Sequence, residues 1–289
     1  MDHRGLICSS ETRTNHLLNY CQKTGYFSNN THVPNLLLDT KNKIAYCPLA
    51  KVASTSWKAL MVYATGKVPT TNIWPSVHNR AFIKNIGLKY LSESLEMTEE
   101  VLQNYFKVIV VRHPFDRLIS AWRDKFVMRN SPFRKNLGKR ILRTYRNITN
   151  FEPSSEWNNT ARFDEFAQYV AEKSLSNPHW RQYITCNPCY IKYNYIIKTE
   201  TLEYDFKKIA SLITIYNGTL PFIHSHQSKK SDVYFLSKSL PEFSRVSSLA
   251  MQYLYDKYGD DMNLFGYTWG QDTTTTKCSI PLENGGHCC

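Results

Sequence analysis

No stretch of the sequence approaches the ~18 consecutive apolar residues that a membrane span needs, so the chain as given does not read as a membrane protein. The first fifteen residues, MDHRGLICSSETRTN, lack an apolar h-region, and no signal peptide is visible. Cysteine is sparse: eight in 289 residues are too few for a disulfide framework to be the main source of stability. Acid is also in short supply. The 24 Asp and Glu face 36 Lys and Arg, and the formal charge of +12 calls for an anionic partner. Nucleic acid, a phosphorylated cofactor, an acidic glycan and an anionic membrane all qualify. What is present is core material. With 42% hydrophobic and 13% aromatic residues, the composition excludes a disordered or collagen-like chain. The sequons at Asn29, Asn147, Asn158 and Asn217 are about as many as chance supplies and leave the compartment open.

Hydrophobic patterning organises the chain. Residues 1–35 are polar and read as an irregular N-terminal segment. Lys43–Cys47 is a short apolar strand stopped by Pro48, and after a loop the spacing of Trp57, Leu60, Met61 and Ala64 predicts a helix over 55–65. The same order recurs. Tyr105–Val111 is a continuous apolar run of the kind found in buried parallel strands. Pro114 then suits the first turn of a helix whose apolar face is Phe115, Leu118, Ile119, Trp122 and Phe126. Tyr195–Lys198 is a third strand, followed by a helix from about 202 to 216, and further helices are expected near 163–173 and 244–258. The basic run 134–146 (RKNLGKRILRTYR) reads as an exposed helix or loop. Alternating strands and helices imply one α/β domain with a central parallel sheet and flanking helices, over 36–269, and 270–289 reads as a C-terminal tail.

Such sheets bind ligands beyond the carboxyl ends of their strands, and two segments put polar and basic groups there. In the first, Lys51, Ser54, Thr55 and Ser56 sit where strand turns into helix. Hydroxyls, free N–H groups and one lysine together make an anion cradle. A nucleotide-triphosphate loop needs glycines that this segment lacks, which argues against a kinase or GTPase of that kind. In the second, Arg112 leaves the buried strand and Ser120 follows two turns into the helix. Arg117 and Arg123 read as solvated helix charges. The Cys186-x-x-Cys189 pair raises zinc, but no second ligand pair stands at finger-like spacing, so a disulfide or two half-buried thiols is expected and no metal.

These residues carry a resemblance. Cys47-Pro-Leu-Ala-Lys-Val-Ala-Ser-Thr-Ser-Trp-Lys58 resembles the 5′-phosphosulfate loop of Golgi carbohydrate sulfotransferases, the group of chondroitin 4-O-, dermatan 4-O- and HNK-1 sulfotransferases. Val111-Arg-His-Pro-Phe-Asp-Arg-Leu-Ile-Ser-Ala-Trp-Arg-Asp-Lys-Phe126 is similar to the family's 3′-phosphate motif. His179-Trp180, Cys186-Asn-Pro-Cys189 and Lys198-Thr-Glu-Thr-Leu-Glu203 form a third matching block. The resemblance runs from about residue 40 to 269 and implies a P-loop-like sulfotransferase fold. It also implies 3′-phosphoadenosine-5′-phosphosulfate (PAPS) as donor, with no metal. Lys51 and the backbone of Val52, Ala53, Ser54, Thr55, Ser56 and Trp57 are then expected at the 5′-phosphosulfate, and Arg112 and Ser120 at the 3′-phosphate.

Lys51 is expected to stabilise the leaving oxygen. The general base is expected in the segment Trp74-Pro-Ser-Val-His78-Asn-Arg80, which makes it His78. His113 reads as a ligand contact or packing residue. Ala50 replaces a family proline, and Lys229 or Lys230 is expected to stand in for a basic donor-binding stretch at 225–231. The implied partner is a glycan of glycosaminoglycan or glycoprotein origin, not nucleic acid. The implied location is the Golgi, with membrane association only through an N-terminal anchor this chain does not show. The alternative is a catalytically inactive protein of the same fold that binds acidic glycans.

Overall fold

The computed structural model describes residues 9–25, 31–68, 76–127, 132–147, 160–173, 177–212 and 241–267. Its strands are β1 (Leu37–Asp39), β2 (Ile44–Cys47), β3 (Leu88–Tyr90), β4 (Phe106–Val111) and β5 (Tyr195–Lys198). Its α-helices are α1 (Ser10–Thr24), α2 (Ser54–Ala64), α3 (Arg80–Asn85), α4 (Thr98–Asn104), α5 (Pro114–Trp122), α6 (Lys139–Arg146), α7 (Phe163–Glu172), α8 (Pro188–Ile191), α9 (Leu202–Leu212) and α10 (Ser248–Leu264). The chain divides into two compact units: Met1–Arg112 with Tyr183–Asp232 and Asn263–Cys289, and His113–Gln182 with Val233–Met262.

The first unit holds the sheet, in the order β3-β1-β2-β4-β5. β2, β4 and β5 run parallel, and β4 sits between the other two with its Val108–Val111 run fully buried. A strand buried on both faces has no polar side to alternate, which is why this run was readable from sequence. The other edge adds antiparallel strands to this parallel centre. β1 pairs antiparallel with both β2 and β3, so the sheet is mixed. Both of these strands are three residues long, too short to show a period. A tight turn joins β1 to β2, where the Asp39 carboxylate accepts from the Asn42 backbone N–H at 3.1 Å.

The segment read as irregular contains α1. Ser9 caps it by accepting from the Thr12 N–H at 3.2 Å, and Gly25 in the left-handed region ends it. Its polar composition hid it, since only Leu17 is a fully buried apolar residue. Tertiary bonds hold it instead. The Arg13 guanidinium donates to Asp205 at 2.7 Å, to the Ile196 carbonyl at 3.0 Å and to Thr201 at 2.9 Å. Two disulfides cross this unit. Cys21 of α1 bonds Cys189 of α8, and Cys47 at the end of β2 bonds Cys186. The Cys186-x-x-Cys189 pair therefore neither closes on itself nor binds zinc; each sulfur has a distant partner.

The second unit is helical, with an aromatic core. Phe115 packs against Phe243 at 5.1 Å and Tyr255 at 5.4 Å, and Phe166 against Phe126 at 5.0 Å and Trp180 at 5.2 Å. Trp180 of the third sequence block belongs to this core, and the half-buried His179 ring beside it lies edge-on to Phe133. No helix among the described residues is long and apolar enough to cross a membrane.

Candidate active site

The loop from β2 to α2 is built at some conformational cost. Lys51 (φ +68°) and Ala53 (φ +59°) both occupy the left-handed region, though neither is glycine. Each such residue costs on the order of 1 kcal/mol or more and persists only where its surroundings dictate it. They do so here. Val52 between them is fully buried, Leu49 is buried, and Cys47 at the loop's base is tied to Cys186. The loop ends at Ala53, the N-cap of α2, which offers no side-chain cap. No acidic residue lies in the first turn either. An N-terminus with neither a capping oxygen nor a carboxylate keeps its positive dipole end available to an outside anion. Lys51, half-buried, adds a full positive charge beside it.

Trp57 differs from the other loop residues expected at the donor. Its backbone N–H donates to the Ala53 carbonyl at 3.1 Å, so it closes the first helical turn. Its indole is fully buried against Tyr46 at 5.7 Å and Phe206 at 5.6 Å. Trp57 thus anchors the helix start from below, with its N–H already committed to Ala53.

His78 comes to this helix start from 23 residues away. A 3₁₀ turn, Ser76–His78, carries it, with Val77 fully buried and the Asn79 side chain capping α3 at 3.1 Å from the Phe82 N–H. Anchored on both sides, the exposed imidazole lies with Nε2 2.9 Å from the Thr55 hydroxyl in the first turn of α2. When Thr55 donates, the Nε2 lone pair accepts the hydroxyl proton and Nε2 is the unprotonated ring nitrogen.

Arg112 leaves β4 at the same sheet edge. The parallel register pairs Cys47 with Ile109, so both strands present their carboxyl ends together. Tyr183 fixes the exit: its hydroxyl accepts from the Arg112 N–H and donates to the Arg112 carbonyl, both at 2.8 Å. Sequence reasoning gave no role to Lys198, which ends β5 opposite Val111 and so belongs to this edge. Its ammonium is buried over the Tyr267 ring at 4.2 Å, and Tyr267 donates to Glu200 at 3.1 Å. The Lys198-Thr-Glu block was its only sequence signal. The carboxyl edge of the parallel strands thus carries three cations, Lys51, Arg112 and Lys198.

In the second unit, His113 is an N-cap. Its Nδ1 accepts from the Phe115 N–H at 3.2 Å, and Pro114 occupies the first helical position. Ser120 stands half-buried on α5. Arg117 is not a solvated charge: it is 2% exposed and donates to the Arg181 carbonyl at 2.6 Å. Burial, and then the neighbouring Arg117 charge, hold the Arg181 guanidinium below its ordinary value. Arg123 is exposed and pairs with Glu242, as its helical position predicts. Lys229, Lys230, Cys8, Cys278, His287, Cys288, Cys289, the sequon asparagines Asn29, Asn158 and Asn217, and the tail lie outside the described residues. Among the described residues no cluster of His, Cys, Asp or Glu is arranged to hold a metal.

A family model described as "Sulfotransferase family" matches residues 34–268. The chain belongs to the sulfotransferase family. Carbohydrate sulfotransferase 11 of Mus musculus is 30% identical over 243 residues, covering 81% of this chain and 67% of that protein. Carbohydrate sulfotransferase 10 of Danio rerio is 32% identical over 288 residues, covering 89% and 74%. Carbohydrate sulfotransferase 8 of Homo sapiens is 31% identical over 247 residues, covering 82% and 56%. No solved structure matches. These relatives place the chain among the carbohydrate sulfotransferases.

Proposed function

We propose that this sulfotransferase is a carbohydrate O-sulfotransferase that moves the sulfuryl group of PAPS to a glycan hydroxyl, with His78 as general base. The donor supplies an activated sulfuryl group whose leaving side is an anionic phosphate. The residues at the start of α2 fit it: an uncapped helix N-terminus without acid, and a lysine held beside it. In this reading Lys51 and the N–H groups from Val52 to Ser56 hold the 5′-phosphosulfate and stabilise the charge that grows on the leaving oxygen. Arg112 binds the 3′-phosphate, with Ser120 assigned there by its motif. His78 accepts the proton of the acceptor hydroxyl as the new S–O bond forms.

The observation that carries the reading is the His78–Thr55 contact of 2.9 Å. It sets a histidine at the one helix start whose loop has the donor motif. The glycan class follows the relatives, whose names call them carbohydrate sulfotransferases. A Golgi location also follows from that likeness, and two disulfides suit an oxidising compartment of this sort.

The test is sulfate transfer from labelled PAPS to a panel of desulfated glycosaminoglycans and N-glycans. The reading requires transfer that vanishes in Lys51→Ala and His78→Ala. A chain that binds adenosine 3′,5′-bisphosphate but transfers to no glycan would instead match the inactive, glycan-binding alternative.

A further inference from the structure

The basic run of the second unit has no part in the chemistry above. It folds as a helical stretch, a π turn at Arg134–Gly138 running into α6. Ile141 and Leu142 are fully buried, which directs the basic residues around them outward. Arg140 and Arg143 are exposed and three positions apart, so they share a face. Like charges at this spacing weaken a helix, so the sequence keeps them at a cost.

Three described acids of this unit are already paired. Glu165 takes Arg146 at 2.5 Å and 2.8 Å and the Arg162 backbone N–H at 2.8 Å. Asp164 takes the Arg162 guanidinium at 3.0 Å, and Glu242 takes Arg123. Among the described residues Lys135, Arg140, Arg143 and Arg245 are left with no acidic partner.

An open groove of about 730 Å³ continues this surface, lined by Trp122, Thr160, Arg162, Asp164, Ser244 and Arg245. Arg146 at the end of α6 donates to the Thr160 carbonyl at 3.3 Å, so the basic helix reaches the groove wall. Trp122 is half-exposed and its ring is fixed, the indole N–H donating to the Ala161 carbonyl at 2.9 Å and the edge packing on Phe163 at 5.6 Å. A fixed aromatic face beside hydroxyls and a guanidinium suits the C–H face and acidic substituents of a sugar.

We infer that α6 and this groove form a track for an anionic glycan, with Arg140, Arg143 and Arg245 binding its carboxylates or sulfates and Trp122 stacking on one ring. This rests on the proposed glycan acceptor and narrows it to an acidic polymer. Charge complementarity selects this occupant: the Trp122 face suits any sugar, and the guanidiniums of Arg140, Arg143 and Arg245, with no acidic partner among the described residues, favour an anionic one.

The experiment measures fluorescence anisotropy of labelled desulfated chondroitin, with labelled dextran as the neutral control and a single-stranded RNA oligonucleotide as competitor. Binding of adenosine 3′,5′-bisphosphate is followed by calorimetry on the same proteins. The inference predicts saturable, salt-weakened binding of chondroitin and none of dextran. Arg140→Glu/Arg143→Glu and, separately, Arg245→Ala lower chondroitin affinity about tenfold or more while bisphosphate affinity stays unchanged. All three positions are exposed, so the variants keep the fold, and a thermal melt checks it. Variant affinities within twofold of the parent overturn the inference, as does RNA that binds as tightly through the same arginines. Loss of bisphosphate binding in the parent, with chondroitin binding intact, removes the donor assignment and leaves the track standing.

Discussion

Replacing Thr55 by valine keeps its β-branched shape and removes only the hydroxyl that meets His78 at 2.9 Å. Replacing His78 by asparagine removes the imidazole itself. If His78 is the base, His78→Asn forfeits general-base catalysis, about 10²–10⁴-fold in kcat. Thr55→Val forfeits one hydrogen bond that orients the ring. Such a bond contributes about 1 kcal/mol, and at 1.36 kcal/mol per decade that is roughly fivefold in rate. Valine at 55 leaves the backbone N–H groups of α2 in place, so the KM for PAPS is expected to hold. Initial rates of transfer from labelled PAPS, followed against pH, read both effects. The parent loses rate on the acid side as the base protonates, Thr55→Val keeps that limb, and His78→Asn loses it. A Thr55→Val rate as low as that of His78→Asn would refute the reasoning, because the hydroxyl would then be acting on the reaction directly. So would His78→Asn retaining more than about a third of the parent rate, far above the loss a base entails.

Three further outcomes follow from the same structure. If Lys51 holds the donor, Lys51→Ala removes a charge-assisted contact of about 1.5–3 kcal/mol, so adenosine 3′,5′-bisphosphate is expected to bind roughly 10- to 150-fold more weakly by calorimetry. Arg13→Met leaves the Asp205 carboxylate, 0% exposed, without its ion-pair partner. Breaking a buried pair in this way costs about 3–5 kcal/mol, read as a lowered urea midpoint, and a loss under 1 kcal/mol would refute the role of Arg13 as the clamp on α1. Cys47→Ser opens a disulfide that spans 139 residues and is expected to cost about 2–5 kcal/mol of stability. On the proposed donor site it should also weaken bisphosphate binding, because the bond holds the base of the β2–α2 loop. Affinity equal to the parent's would show that the buried Val52 and Leu49 hold the loop unaided.

Legibility followed the length and burial of each element. β4 was readable because six consecutive residues carry its signal, and α5 because its apolar face repeats over nine. β1 and β3 were not, since three residues carry no period, and α1 was not, since its stability comes from Arg13 and Cys21 rather than from an apolar stripe. In the site, the cradle at Lys51–Ser56 was visible as a motif. The commitment of the Trp57 N–H to Ala53 was not, because it depends on where the helix begins. Arg117 was misread because a charged residue on a helix is usually solvated, and only the carbonyls of Pro178 and Arg181 reveal why this one is buried.

By itself the sequence determined the α/β grammar, the family, and the residue types at the ends of β2 and β4. These properties are local: a buried strand, a tight loop and a helix start each write themselves in neighbouring residues. Tertiary structure alone decided which cysteines pair, that β1 and β3 make the sheet mixed, that His78 reaches Thr55, and that Lys198 joins the cationic edge. Apart from the short β1–β2 hairpin, these features join residues far apart in the chain, from 23 positions for His78 and Thr55 to 168 for Cys21 and Cys189. Pairings at such range are fixed by the packing of the sheet and its helices, and no local pattern records them.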